Sequence, residues 1–306
     1  MRAYRLCLVS VLLALLAPGA LRAATEPLVL VPSAQLGAGP ARENSGIVAS
    51  RRHPGLYWMI NDSGDEPRVY PVRRDGSVAT PERYEVPGVL VGGAVNVDWE
   101  DVAVDASGRL LVPDFGNNGN DRRDLVIYVL DEPRPEAGRT TWRERWFFRY
   151  PEQTAFPAPP EDFDYDAEAL FTIGDTAYVL TKHRSDGATT LYALVEPHGD
   201  RLNTLVRLGE FDVGGRVTAA DATADGLRLV VATYDTLWLF EREEPAQAFF
   251  DGRVSRLRFE APQVEAVCFG DPEGRWLLLA DEETAALHEV PLDRFRPVPA
   301  ASPERP

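Results

Sequence analysis

The sequence predicts an all-β fold, a single β-propeller of five four-stranded blades. Short apolar runs rich in β-formers recur at even spacing with turn residues between them, and helical periodicity is almost absent. The recurring segments also share one plan: an acidic or polar start, an apolar run, a turn with glycine, and a second apolar run. Four strands per unit, repeated around an axis, make a β-propeller.

Five segments follow this plan, and their starts lie 57, 68, 50 and 47 residues apart. They begin at Glu43, Glu100, Glu168, Thr218 and Glu265. Each continues with a third strand-like run, and all but the last add a fourth. The chain opens with an apolar strand, residues 28–31, that has no repeat of its own. We expect this strand to complete the last blade beside residues 287–290 and close the ring. A sixth, degenerate blade between residues 131 and 164 remains an alternative.

The first 23 residues have the pattern of a signal peptide. Arg2 and Arg5 precede an apolar run over residues 6–16, and small residues at Ala23 and Ala24 offer a cleavage site. The run is too short to span a bilayer, so we expect a secreted or periplasmic protein without a membrane span. The propeller domain is predicted over residues 24–295, followed by a disordered, Pro-rich tail over residues 296–306. Cys268 is then the single cysteine, which excludes an intramolecular disulfide and a thiolate metal site.

Composition narrows the classes of partner. A chain of 306 residues with 44% hydrophobic residues can bury a sizeable core and is too apolar to be disordered. Its formal net charge is −16, and no Lys/Arg-rich segment offsets it. This balance argues against a nucleic-acid partner, because phosphate neutralisation needs clustered cations. We expect a monomer that binds a small molecule or a protein ligand.

The motifs resemble those of a known group of proteins. Glu-x-Ser-Gly-Ile at residues 43–47, Asn-Asp-Ser-Gly at 61–64 and Asp-Trp-Glu-Asp-Val-Ala at 98–103 resemble uncharacterised exported bacterial β-propellers. Pro-Asp-Phe-Gly-Asn-Asn at residues 113–118 is similar to the blade turn of NHL-type repeats. The glutamates that start the inner strands are remotely similar to those of phytase-like and calcium-activated nucleotidase propellers. The resemblance covers most of residues 40–285 and implies the fold rather than an activity, because no catalytic signature can be matched.

Propeller geometry predicts an acidic ring at one mouth of the central channel. The start of each first strand meets the end of the second, since the two run antiparallel. The ring comprises Glu43, Glu100, Glu168 and Glu265 with Asp62, Asp114 and Asp281. So many carboxylates in a narrow space favour a bound cation, and calcium suits oxygen ligands best. The four histidines lack the spacing of a zinc site. The alternative is structural: Asp at strand ends commonly forms Asx turns, and in that case the glutamates bind only backbone N–H groups or water.

Four further residues are candidate ligand contacts at the same mouth: Asn61, Trp99, Asn117 and Lys182. The asparagines offer amide carbonyls, and Trp99 adjoins Glu100. Lys182 stands where other repeats carry Asp, and it has two interpretations: an anchor for a phosphate or other substrate group, or a salt bridge to Glu168. The four prolines of residues 151–166 predict a loop over this mouth, either a lid or an inert insertion.

These features favour a binding module over an enzyme. The chain has no Gly-x-Ser-x-Gly elbow and no histidine placed by sequence to activate a nucleophile, so no catalytic residue is assigned. The first hypothesis is an exported propeller whose mouth, occupied by calcium, presents a ligand or partner site. The second is a metal-assisted hydrolase of phosphoesters or other esters at that mouth. The third is a scaffold with neither metal nor substrate.

Overall fold

The computed structural model describes residues 26–299 as one closed ring of five β-sheets. The predicted signal peptide, residues 1–23, lies outside the described residues. The innermost strands contact each other in sequence order, and the fifth contacts the first. The predicted five-bladed propeller is thereby confirmed. The only helical pieces in the described range are three 3-10 turns, Pro160–Asp162, Phe249–Asp251 and Leu292–Arg294.

The first two blades each consist of four antiparallel strands and a short fifth strand. Blade one contains β3 (Asn44–Ala49), β4 (Leu56–Asn61), β5 (Arg68–Arg73) and β6 (Val89–Gly92), with β10 (Arg139–Thr141) outside. Blade two contains β7 (Ala103–Val104), β8 (Arg109–Asp114), β9 (Val126–Asp131) and β11 (Glu144–Arg149), with β15 (Asn203–Thr204) outside. The stretch proposed for a sixth blade therefore supplies outer strands to blades one and two.

The remaining three blades complete the ring. Blade three contains β12 (Ala167–Ile173), β13 (Thr176–Thr181), β14 (Ala188–Leu194) and β16 (Val206–Asp212). Blade four contains β17 (Val217–Ala222), β18 (Arg228–Thr233), β19 (Thr236–Glu241) and β20 (Arg253–Glu260), with β1 (Leu28–Val29) and β24 (Arg296–Pro297) on β20. Blade five contains β21 (Val264–Phe269), β22 (Trp276–Asp281), β23 (Ala286–Pro291) and β2 (Ala34–Gln35).

The N-terminal segment contributes strands to two blades rather than one. β1 runs parallel to β20 of blade four, whereas Ala34 and Gln35 of β2 pair with Leu287 and Ala286 in blade five. The predicted closing strand, residues 28–31, is thus corrected to Ala34–Gln35. The same arrangement occurs twice elsewhere in the chain. The segment before the fourth strand of a blade first pairs with the outer strand of the preceding blade: β10 pairs with β6 before β11 begins, and β15 pairs with β11 before β16 begins. Such crossing strands cover edges that would otherwise pair with other chains.

The core consists of five apolar wedges, one between each pair of adjacent blades. Alternating strand residues fill them; Trp58 and Trp146, for example, are almost fully buried. Cys268 is a free thiol inside the wedge between blades five and one, as expected for a small hydrophobe. The sheet also continues past residue 295, the predicted end of the domain, because Arg296 pairs with Arg256.

Asp101 links the innermost strands of four blades at the channel axis. Its backbone N–H donates to the Ser45 carbonyl of blade one at 2.9 Å. Its carboxylate accepts the N–H groups of Val102 at 2.8 Å, Leu170 at 2.9 Å and Ala220 at 3.2 Å. Asp101 has a positive φ of 61°, which turns its side chain into the channel. A Cβ at Gly46 would lie 2.6 Å from the Asp101 Cα, so this close approach requires glycine.

Replacing Asp101 with alanine is expected to destabilise the whole ring. The substitution leaves three N–H groups without their acceptor in a buried channel, at a cost of about 1 kcal/mol or more each. We expect urea unfolding to show a loss of roughly 3 kcal/mol. Asp200→Ala, on an exposed loop, is the control and should leave the free energy of unfolding unchanged. Equal stability of the two variants would contradict this role for Asp101.

Candidate functional site

A β-bulge near the start of the innermost strand recurs around the ring and aligns one residue per blade. In blade three, for example, Ala167 pairs with Thr181 and Ala169 with Leu180, which leaves Glu168 as the extra residue. The same register shift selects Ser45, Thr218 and Glu265, and an equivalent shift lies at Glu100. Three of the predicted ring glutamates, Glu100, Glu168 and Glu265, therefore occupy equivalent buried positions.

Glu43 lies outside this ring. The strand register pairs Asn44 with Asn61, so Ser45 takes the ring position in blade one and donates to the Trp99 carbonyl at 2.8 Å. Glu43 precedes β3 and is exposed on the rim. There its carboxylate lies close to those of Asp62 and Glu282, with ligand atoms within 4.8 Å of one another.

The centre of the mouth is a carboxylate cluster of Asp62, Asp98 and Glu100. One oxygen of each lies within 4.8 Å of the others. Asp98 was part of the sequence motif but was not assigned to the ring. The alternation of side chains along an extended segment would have predicted this position, because Asp98 and Glu100 lie on one face and Trp99 on the opposite face, toward the core. Gly116 makes room for Asp98, since a Cβ there would lie 2.4 Å from its carboxyl carbon.

Glu168 and Lys182 form a buried ion pair beside this cluster. Lys182 Nζ lies 2.7 Å from Glu168 Oε2, and both side chains are more than nine-tenths buried. Burial disfavours the ammonium, but Glu168 and the nearby Tyr234 and Glu100 outweigh it and raise the pKa of Lys182. The other carboxylate oxygen of Glu168 is buried and has no hydrogen-bond partner among the described residues. A buried unpartnered carboxylate oxygen calls for a cation, a proton or water.

The mouth carboxyl groups hold protons more tightly than ordinary ones. Burial, followed by repulsion from Glu168 and Asp62, raises the pKa of Glu100 well above its usual value. Burial and the neighbouring Asp62 and Asp166 raise the pKa of Asp98 to about 7. Burial and the carboxylates of Glu265 and Asp62 likewise raise the pKa of Glu282 to about 7. A divalent cation at the mouth would offset this repulsion and keep these groups ionised.

Asp114 and Asp281 have structural roles beneath the mouth. Asp114 accepts the Asp98 N–H at 3.1 Å and pairs with Arg122 at 2.9 Å, so it positions the strand segment that carries Asp98. Asp281 accepts the N–H groups of Gln263 and Thr284, each at 2.8 Å. The structure thus places both residues in the turn arrangement that the sequence left open as the alternative to a metal ligand.

The four candidate ligand contacts lie in different surroundings, and most are used within the fold. Trp99 is fully buried, and its indole N–H donates to the Val95 carbonyl at 2.8 Å. Asn117 uses its side-chain carbonyl to accept the N–H groups of Asp121 and Arg122 within a loop. Asn61 donates to the Gly39 carbonyl at 3.0 Å, while its own buried side-chain carbonyl lacks a partner among the described residues. Of the four, Lys182 alone contacts a ring glutamate.

The Pro-rich loop over residues 151–166 is anchored at the same mouth. Asn120 holds it, because its carbonyl accepts from Ala158 at 3.1 Å and from Gln153 at 2.9 Å. Its side chain also accepts the Tyr165 N–H at 2.8 Å. At the end of the loop, Asp166 pairs with Arg184 at 2.7 Å. The loop is thus a fixed part of the rim, and it contributes the negative charge of Asp166 to the surroundings of Asp98.

A second group of possible metal ligands, Asp164, His183 and Asp186, lies at the outer rim of blade three. Its atoms already have partners. His183 bonds Asp186 and Thr190, each at 3.0 Å, and Asp164 accepts the Arg184 N–H at 3.0 Å. These contacts account for the cluster as a hydrogen-bonded turn.

The chain is similar to known proteins in its structure and not in its sequence. No protein-family model matches the chain, and no curated protein matches its sequence. Solved structures that are similar in fold include a putative gluconolactonase, at 17% identity over 86% of this chain and 78% of that one, with a TM-score of 0.44. The β-propeller domain of Cps50 (Swd1) from Myceliophteria thermophila aligns at 11% identity over 86% of this chain and 99% of that one, with a TM-score of 0.44. A third is hydrazine synthase from Kuenenia stuttgartiensis, at 10% identity over 82% and 72% of the two chains, with a TM-score of 0.46.

The raised pKa values predict how stability depends on pH without metal. The carboxyls of Asp98 and Glu282 stay protonated up to about pH 7 in the folded protein, but ionise near pH 4 when unfolded. The unfolded state then binds fewer protons, so the free energy of unfolding should fall as pH rises from 5 to 8 in EDTA. Urea unfolding measures this slope. Asp98→Asn should flatten it, and an unchanged slope in that variant would refute the assignment.

Proposed function

We propose that this chain is an exported β-propeller binding module whose acidic mouth holds a divalent cation, calcium, and presents a site for a small-molecule or protein ligand. The observation that carries the proposal is the cluster of Asp62, Asp98 and Glu100 beside the unpartnered buried oxygen of Glu168. Carboxylate oxygens are the ligands that calcium prefers, and a flexible ligand set suits its variable coordination.

The cation would have two consequences at this mouth. It would neutralise charges that repel one another, and it would leave coordination positions open toward solvent, because Asp62 and Asp98 are only partly buried. A ligand with oxygen donors could fill those positions. Lys182 is held by Glu168 below them, so it serves as an internal counter-charge for the ring.

Export is the second part of the proposal and rests on the pattern of residues 1–23. No helix among the described residues is long and apolar enough to cross a membrane. N-terminal sequencing of the protein recovered from the periplasm or the medium should find a start near Ala24. An intact Met1 in that fraction would contradict cleavage.

Calcium should raise the stability of the protein treated with EDTA. A ligand that binds only the folded state adds about 2.7 kcal/mol at a hundredfold excess over Kd. We expect Glu100→Gln to lose most of this gain, because the amide removes a charged ligand from the cluster. Isothermal titration calorimetry and thermal melts measure both effects. Glu161→Gln, on the exposed part of the rim loop, is the matched control and should retain the full gain.

Two outcomes would overturn the cation site. One is a melting temperature that calcium does not change at any concentration up to the millimolar range. The other is equal calcium binding by Glu100→Gln and the unsubstituted protein. Magnesium and zinc titrations distinguish a calcium site from a general divalent one, since magnesium requires a stricter geometry and zinc prefers nitrogen and sulfur ligands.

One observation favours the alternative of a metal-assisted hydrolase. The carboxyl group of Glu168 has one unpartnered oxygen, and burial and Asp166 raise its pKa. A carboxylate with a raised pKa is suited to act as a general base toward water that a metal would activate. Calcium-dependent hydrolysis of 4-nitrophenyl phosphate or 4-nitrophenyl acetate, abolished in Glu168→Gln while calcium binding persists, would establish this alternative. Absence of turnover with both esters favours the binding module.

A further inference from the structure

A second candidate site lies on the outer flank of blade two. An open pocket of about 470 Å³ is formed by the outer strand β11, the segment before β9 and a loop of blade three. Its lining combines three arginines and two aspartates with two apolar side chains and a glycine: Arg123, Arg145, Arg201, Asp124, Asp200, Phe147, Leu202 and Gly199. A concentration of arginine is notable on a chain with a net charge of −16.

The three arginines have no carboxylate partner within the described part of the chain, although fourteen lysine or arginine side chain–carboxylate pairs occur in it. Two of them are instead held by aromatic rings. The Arg145 guanidinium lies 4.6 Å from the centroid of the Trp142 ring, and that of Arg123 lies 3.8 Å from the Phe156 ring. Stacking occupies the flat face of a guanidinium and leaves the N–H groups on its edge available for an anion.

The loop that completes the pocket is held in place before any ligand arrives. Asn203 anchors it, because its amide donates to the Phe147 carbonyl at 2.9 Å and to the His198 carbonyl at 3.0 Å. Its side-chain oxygen accepts the His198 N–H at 2.9 Å. β15 then continues the loop along the edge of β11. Arg201 and Leu202 are therefore presented on a fixed backbone, which lowers the entropic cost of binding.

The other lining residues restrict the class of ligand. Leu202 is half exposed and offers an apolar surface beside Phe147, whose ring centroid lies 5.4 Å from the Arg145 guanidinium. Asp124 and Asp200 offer hydrogen-bond acceptors, and Asp124 is already paired with Arg122 at 3.1 Å. A polyphosphate or a nucleic acid would be repelled by these carboxylates. A ligand that fits has one negative group for the arginines, hydroxyl groups for the aspartates and an apolar ring face for Phe147.

We propose that this pocket binds an acidic saccharide, a pyranose unit that carries a carboxylate. The arginine edges would bind the carboxylate, Asp200 would accept sugar hydroxyl groups, and the C–H face of the ring would pack on Phe147 and Leu202. Arginine recognises a carboxylate through two parallel N–H donors. The volume of the pocket lies within the range of small-ligand sites and suits one or two sugar units.

Calorimetric titration with a galacturonic acid trisaccharide tests the proposal, with maltotriose as the neutral control and sulfate as the control for a bare anion. We expect binding of the acidic trisaccharide alone. The double variant Arg145→Gln/Arg201→Gln should bind it at least about tenfold more weakly. Arg143→Gln removes a neighbouring arginine that is paired with Asp131, and it should bind with unchanged affinity.

Two conditions distinguish saccharide binding at this pocket from binding at the mouth. Binding that survives in Glu100→Gln and in EDTA supports an independent flank site, whereas loss in either condition would transfer the saccharide to the mouth and overturn the proposal. Equal binding of maltotriose or sulfate would refute the acidic-saccharide specificity. Equal weakening by Arg143→Gln would show only a general effect of charge. Thermal melts test whether each variant is folded; the substituted arginines are exposed, whereas Glu100 is buried.

Discussion

The ring depends on how the innermost strands satisfy their backbone groups. Each innermost strand pairs with one neighbour within its own blade, so its other edge faces a narrow, buried channel. Unpartnered N–H groups there would cost free energy comparable to that of lost hydrogen bonds. Two aspartates act as acceptors for such groups. Asp101 reaches the strands of blades three and four, and Asp221 accepts the Phe269 N–H of blade five at 2.8 Å.

The bulges of the inner strands explain why the mouth is acidic. Bulges at the starts of the inner strands place Glu100, Glu168 and Glu265 close together, where hydroxyl side chains in the other blades bond across to neighbours. Glu265 is satisfied by Gln263 at 3.0 Å, and Glu168 is half satisfied by Lys182. The remaining negative charge is concentrated at Glu100, Asp98 and Asp62. The ring thus brings the carboxyl groups of Asp62, Asp98 and Glu100 together at one end of the channel.

The mouth is acidic and the flank of blade two is rich in arginine because different strands form the two regions. Inner strands carry the acidic residues, whereas the outer strand of blade two carries arginines held by aromatic rings. The crossing strands link the two regions. β15 belongs to the approach to blade three, yet it lies on blade two and brings Arg201 to β11. The crossing strand β15 therefore covers a sheet edge, and the loop before it forms one side of a pocket between two blades.

The sequence by itself determined the blade count, the course of the strands and the inner glutamates, because alternation with a period of two and turn residues are local signals. It could not determine which residues meet across the axis. The ring position of blade one falls on Ser45, two residues after Glu43, which lies on the rim. The left-handed backbone of Asp101 makes a residue of no assigned role the central acceptor. Asp114 and Asp281 were grouped with the ring because strand ends coincide at the mouth, but the chain directs both toward backbone N–H groups. Side-chain direction near a bulge is decided by contacts between blades, and these exist only once the ring has closed.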